Sequence, residues 1–144
     1  MTIRIFIARD SAALSVGADE TTSAIAAAAA KAGQKIEIIR TGSRGMLWLE
    51  PLVEVETAKG RVAYGPVAAG DVAGLVTAGL FEGKSHALCH GLTEDMPWMK
   101  KQERLTFARC GITDPVSVAD YRAHGGYIGL EKALAAGSAE IVKT

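Results

Sequence analysis

The sequence predicts an α/β fold built on one mixed sheet, and three observations carry that prediction. Ile3, Ile5 and Ile7 alternate with Arg4 and Phe6, the period-two pattern of a half-buried strand. An alanine-dominated run from Thr21 or Thr22 to Ala32 follows, and alanine has the highest helix propensity. Three further strand-like runs then precede a second stretch with helical spacing of its apolar residues.

Taken in order, Asp10 and Ser11 end the first strand. Asp19 to Ser23 offer capping oxygens and negative charge to the first helix, and Gly33 stands just past its end. Alanine buries little area, so this helix is expected to lie close against a sheet. Lys35 to Arg40 reads as a second strand around Ile36, Ile38 and Ile39, and Thr41-Gly-Ser-Arg-Gly45 as a loop. Pro51 to Glu56 is the third strand, with Val53 and Val55 facing opposite to Glu54 and Glu56. Ala58-Lys-Gly60 turns it into Arg61 to Tyr64, a hairpin. A second helix covers Ala69 to Ala78, with Val72, Leu75, Val76 and Leu80 at helical spacing. The order β-α-β-β-β-α is the thioredoxin pattern: a βαβ unit, a hairpin and a closing helix over one mixed sheet. A ferredoxin-like fold would need a strand after the last helix, and His86-Ala-Leu-Cys89 is too weak a pattern to be taken as one.

The character of the chain changes near residue 84. Residues 1–83 read as the thioredoxin-like domain and 84–103 as a linker that turns helical near its end. Residues 104–144 read as the first helices of an incomplete domain. In that last part Gly111-Ile-Thr-Asp-Pro115 is a turn. Ser117 with Asp120 three residues later is a capping-box-like start for a helix from Val118 to Ala123. Gly125-Gly126 interrupts it, and Tyr127, Leu130 and Leu134 share one face of a last helix ending near Gly137. Two such short helices are too small to enclose a core of their own.

The 144 residues carry 16 Lys+Arg and 16 Asp+Glu, a formal net charge of zero with His neutral. That leaves no global electrostatic pull toward nucleic acid or an anionic membrane. No apolar run is long enough to span a bilayer. The opening Met1-Thr-Ile-Arg-Ile-Phe is charged and alternating, unlike a signal peptide, so the expectation is a cytoplasmic protein.

Several residues invite a chemical role, and each has a plainer reading. Gly83-Lys84-Ser85 ends like a phosphate-binding P-loop. The motif wants Gly where Ala78 stands and a strand before it, so a helix C-terminus is expected instead. Cys89 and Cys110 belong to no Cys-x-x-Cys pair, and no sulfur follows the first strand, which removes thiol–disulfide catalysis. They are expected to be inert, at least half-buried thiols. His86, Cys89 and His90 lack a fourth zinc ligand. Asp114, Asp120 and His124 are explained by turns and capping. Trp48 and Trp98 read as packing anchors.

Several stretches together resemble a known family. Arg104-Leu-Thr-Phe-Ala-Arg-Cys-Gly-Ile-Thr-Asp-Pro115, Asp120-Tyr-Arg-Ala-His-Gly-Gly-Tyr127 and Leu130-Glu-Lys-Ala-Leu134 resemble the opening segment of the NADH- and FMN-binding flavoprotein subunit of respiratory complex I. Arg40 to Val55 and Tyr64-Gly-Pro-Val-Ala68 are similar to the thioredoxin-like extension fused to that flavoprotein in soluble relatives. Foremost among these are beta subunits of molybdenum-containing, NAD-dependent formate dehydrogenases. Diaphorase subunits of NAD-reducing hydrogenases are their cousins.

The resemblance implies an N-terminal portion of an electron-transferring oxidoreductase subunit whose complete form holds FMN, NAD and a 4Fe-4S cluster. The implied partners are a molybdenum catalytic subunit and a 2Fe-2S gamma subunit. In the related two-iron subunit of complex I, four cysteines ligate the cluster. The matching positions here are Ala8 and Ala13, then Arg40 and Arg44. Cluster iron is held by thiolates, so the resemblance implies a cluster domain that has lost its metal. Arg40 and Arg44 are left with three readings: contact with acidic groups of a partner, pairing with an internal carboxylate such as Glu50, or solvated loop charges. The family's flavin, nicotinamide and cluster motifs have no match here. The helical segment Ala139 to Thr144 would lead into the family's glycine-rich FMN loop. No catalytic, cofactor-binding or metal-binding residue is therefore assigned to this chain. The same resemblance implies a cis peptide bond at Glu50–Pro51, facing the loop that follows the first strand.

Overall fold

The computed structural model describes residues 2–143. Five strands form one sheet in the order β2-β1-β3-β4-β5. They are β1 (Ile3–Ala8), β2 (Ile36–Thr41), β3 (Val53–Thr57), β4 (Gly60–Tyr64) and β5 (Cys89–Leu92). The β1–β2 pair is parallel and the others antiparallel, with Ile5 opposite both Ile38 and Val55. This is the mixed α/β, thioredoxin-like architecture that the strand and helix order predicts.

Two helices cover one face. These are α2 (Ala18–Lys31) and α3 (Val72–Ala78); a short α1 (Ser11–Ser15) precedes α2. Ile5, Ile7, Val53, Val55 and Tyr64 meet Ile25, Ala29, Val72 and Leu75 in the main core. The alanines of α2 let it sit close: Ala18 and Ala29 are buried, and the buried Thr21 hydroxyl donates to Val67 O at 2.8 Å.

Several elements depart from the sequence reading. The first strand ends before Asp10 as expected, but a short helix that the sequence reading lacks follows it. The Asp10 side chain accepts from Ala12 N and Ala13 N and starts α1. Gly17 then heads α2 with no side-chain cap, so the expected capping by Asp19 to Ser23 is not made, although Asp19 and Glu20 do occupy the favourable first turn.

The expected linker over 84–103 contains β5, a helical turn over Thr93–Asp95 and α4 (Pro97–Lys100). The strand is short and its Cys-His-Gly-Leu sequence lacks alternation, because it is an edge paired on one side only. A strand does therefore follow the last helix of the sheet domain. It extends the hairpin edge beside β4, while β1 lies between β2 and β3, and the order remains thioredoxin-like.

The second sheet face is built differently. Register places Phe6, Glu54 and Ala63 in one row and Arg4, Glu56 and Arg61 around it. The loop after β2 and α4 cover this face through a smaller cluster of Met46, Leu49, Leu52, Ala63, Met96 and Met99.

The C-terminal part forms α5 (Val118–Ala123), α6 (Ile128–Ala136) and α7 (Ser138–Ile141), and none of the three buries a residue. Tyr121, Ile128, Leu130 and Leu134 stay exposed. Thr144, the end of the expected last helical segment, and Met1 lie outside the described residues. Ser117 Oγ accepts from Asp120 N at 3.1 Å, half of the expected capping box, while the Asp120 carboxylate accepts from Asp114 N instead. Gly126 carries the Gly-Gly-Tyr turn. A Cβ there would overlap Tyr121, whose ring meets Tyr127 edge-on with centroids 5.0 Å apart.

Candidate functional site

The loops after β1 and β2 meet at one end of the sheet. Ala8 closes β1 and Ala13 lies in α1, and both methyl groups are buried. Arg40 belongs to β2. Its Nη1 forms an ion pair with Asp19 at 2.6 Å, and its Nη2 donates to Ala8 O at 3.1 Å. Arg40 therefore ties the end of β2 to the end of β1 and the first turn of α2, although its pairing carboxylate is mostly exposed.

Arg44 is positioned quite otherwise. Its side chain is 4 % exposed and faces Glu54, 3 % exposed, with Nη2 and Oε1 3.0 Å apart. Nη1 reaches Glu94 at 2.8 Å, and Nε approaches Glu54 Oε2 at 3.4 Å. Glu54 lies also 3.6 Å from Arg61 Nη1, and the Arg61 guanidinium stacks 3.3 Å from the centre of the Phe6 ring. Burial pulls the Arg61 pKa down, with Glu54 opposing the effect, yet a guanidinium remains charged throughout the physiological range.

The network ties down the chain beyond α4. Arg61 Nη1 donates to Gly111 O at 2.7 Å, and Arg104 Nη2 donates to Arg44 O at 3.1 Å. Gly111 adopts φ +78°, and a Cβ there would overlap the Arg44 side chain. The 104–112 stretch is thus folded back onto the sheet at Arg44.

Glu50 is not the internal partner of either arginine. It is buried, takes a hydrogen bond from the Ser43 hydroxyl at 2.8 Å and another from Leu52 N at 2.9 Å. Burial raises its pKa. The two hydrogen bonds counter this, and the nearby Asp10 and Glu54 charges add to it. The Glu50–Pro51 peptide is cis, as the resemblance implies. Gly65–Pro66 is also cis, which nothing in the sequence reading anticipated.

The remaining candidates scatter. Gly83 ends a helical turn, and Lys84 O accepts the Tyr64 hydroxyl at 2.6 Å. Tyr64's pKa is raised by burial and then by Cys89. His86 Nδ1 accepts from Leu88 N, and His90 Nε2 bonds Gly65 O. Cys89 and Cys110 are free and half-buried; Cys89 opens β5, whereas Cys110 lies beside Arg44, and Arg104 bonds the backbone carbonyls of both Cys110 and Arg44. His124 Nδ1 contacts Asp120 O at 2.9 Å. Trp48 and Trp98 are not buried anchors: they pack edge-to-face, centroids 5.1 Å apart, and remain 57 % and 47 % exposed.

No family model and no curated protein matches the chain. Solved structures do. The thioredoxin-like [2Fe-2S] ferredoxin from Aquifex aeolicus superposes with a TM-score of 0.51 at 20% identity, covering 62% of this chain and 97% of that one. A cysteine-to-serine variant of the same ferredoxin gives 0.52 at 23% identity over 62% of this chain and 98% of its own length. This likeness shows a shared fold. The chemistry of a cluster does not carry over to the four loop positions. They offer two buried methyl groups and two guanidiniums, one of them locked between carboxylates, where iron needs thiolates.

Proposed function

We propose that this chain is a cluster-free thioredoxin-like docking domain, the N-terminal part of the beta, flavoprotein subunit of an NAD-dependent molybdenum formate dehydrogenase. One observation carries the reading. At the four positions where the related two-iron subunits place cysteines, this chain has Ala8, Ala13, Arg40 and Arg44, and the last is built into a buried ion network. A fold kept with its metal ligands replaced by structural groups serves binding and shape rather than electron storage. The Gly-Gly-Tyr turn and the unburied helices α5 to α7 support the second half of the reading. They would be the first helices of the FMN- and NADH-binding domain, against which their exposed apolar residues pack.

In this proposal residues 104–144 belong to the flavoprotein domain. The complete subunit passes electrons to NAD through FMN and a 4Fe-4S cluster in the cytoplasm. Its partners are a molybdenum catalytic subunit and a 2Fe-2S gamma subunit. The chain's own residues perform no redox step. A diaphorase subunit of an NAD-reducing hydrogenase or a complex I flavoprotein subunit is the second reading, resting on the same residues. A stand-alone interaction module is the third, favoured by the self-sufficient sheet core.

The test is co-purification of the tagged chain in its native host, followed by identification of the bound subunits. Recovery with a molybdenum formate dehydrogenase catalytic subunit and its 2Fe-2S subunit is expected. Recovery with hydrogenase subunits selects the second reading, and recovery alone selects the third.

A further inference from the structure

A groove of about 610 Å³ opens between the loop after β2, α4 and the returning 104–110 stretch. Its lining is mostly apolar, with Leu47, Trp98, Phe107 and Cys110. Trp48 continues the surface by packing on Trp98. Leu47, Trp48, Trp98 and Phe107 (65 % exposed) all face outward. A cluster of this kind marks an interaction site, and aromatic residues dominate the centres of protein interfaces.

The charged side chains that line the groove have one sign, although Glu94 and Glu103 lie next to it. Arg44, Lys101 and Arg104 line it, and no carboxylate does. Arg44 is neutralised by Glu54 and Glu94. Arg104 is not: its guanidinium donates to Arg44 O and Cys110 O, which satisfy hydrogens but bring no counter-charge. Lys101 is exposed, and no ion pair holds it among the described residues. Two unmatched cations thus flank an aromatic groove in a chain whose net charge is zero. The attraction is local, and it selects for the opposite sign.

We infer that this groove docks an acidic, aromatic-anchored segment of a partner protein. An apolar side chain enters between Trp98 and Phe107, and carboxylates of the same segment meet Lys101 and Arg104. The inference rests on the docking reading and names the face and the partner chemistry it uses.

The chain has two tryptophans, Trp48 and Trp98, and both belong to this patch, so intrinsic fluorescence reports on it directly. The full chain is titrated with a capped peptide, Glu-Leu-Glu-Phe-Leu-Asp-Glu-Leu, and with its counterpart carrying Lys at every acidic position. The acidic peptide should give a saturable emission change. Lys101→Glu should weaken its binding by about tenfold. Raising salt from about 0.01 M to about 1 M should weaken it as well, since screening shortens from about 30 Å to about 3 Å. Phe107→Ser should abolish the response, while circular dichroism stays unchanged at both exposed positions. Equal responses to the two peptides would show mere stickiness and overturn the inference. So would no response at millimolar peptide, or concentration-dependent self-association that alters the emission without peptide. If the groove fails while subunit co-purification succeeds, the docking domain stands and uses another face. If co-purification fails while the peptide binds, the groove stands and the parent subunit is wrong.

Discussion

Arg40 and Arg44 lie four residues apart around one turn of chain, and they differ in almost every physical respect. Arg40 joins the ends of β1 and β2 to α2 at the rim, paired with an Asp19 side chain that is 65 % exposed. Arg44 is sealed against Glu54, with Glu94 and the Gly111 turn closing over it. Water screens the first pair and barely reaches the second. The same residue type at two nearby positions thus makes one surface bridge and one structural keystone. The lesson is that a loop guanidinium takes its role from the carboxylates that the fold brings to it, not from the loop.

Cutting each arginine back separates these cases most sharply. Arg44→Ala leaves Glu54 buried with only Arg61 near it, and breaking a buried pair this way costs about 3–5 kcal/mol. Arg40→Ala removes a largely solvated pair and should cost below about 1 kcal/mol. Urea unfolding of both variants measures the contrast, and equal losses would erase the distinction. Gly111→Ala probes the same seat from the other side. It places a Cβ against Arg44 and forces φ +78° on an L residue, a strain of about 1–3 kcal/mol. The expected result is a loss between those of the two arginine variants.

A second contrast runs between the sheet and the C-terminal helices. Ile5, Ile38 and Val53 lie in paired strands, and Ile5 and Val53 are fully buried; α5 and α6 bury nothing. Amide hydrogen exchange of the isolated chain should show slow exchange near Ile5, Ile38 and Val53. Exchange from Val118 to Leu134 should be much faster, since isolated helices of this length are marginal in water. Equal protection would mean that the C-terminal helices possess a core of their own.

The sequence reading found what local pattern specifies. Strand alternation, the alanine helix and the Ser117 N-cap all lie within a few residues of the groups that determine them, whereas the cis Glu50–Pro51 bond is expected from the resemblance alone. It missed what distant pairing specifies. Glu54 alternates outward on β3 and reads as solvated, and only the loop carrying Arg44 buries it. Glu94 lies fifty residues beyond Arg44 in a stretch read as linker. β5 escaped because an edge strand needs no alternating apolar face. The aromatic groove escaped for a similar reason: Trp48, Trp98 and Phe107 are isolated in sequence and only the fold gathers them.

The smallest expected effect concerns Glu50 beside this network. Its folded pKa is raised above the ordinary 4.5, so between 4.5 and that raised value the folded chain holds a proton that the unfolded chain has released. The stability due to this group is complete below 4.5 and is lost as pH rises through the folded value. Glu50→Gln removes that titration and can keep the Ser43 and Leu52 contacts. Denaturant midpoints should therefore show the wild type losing ground to the variant as pH rises from 4.5 toward neutrality. A constant gap would place Glu50 in an ordinary environment.

The central claim, a thioredoxin-like fold without a cluster, is tested most directly by composition. The full chain is expressed with iron and sulfide supplied, and its iron, acid-labile sulfide and visible absorbance are measured after purification. With Ala8, Ala13, Arg40 and Arg44 at the ligand positions, the account predicts a colourless protein with no stoichiometric iron or sulfide. A stoichiometric iron–sulfur absorbance in the purified chain would contradict it.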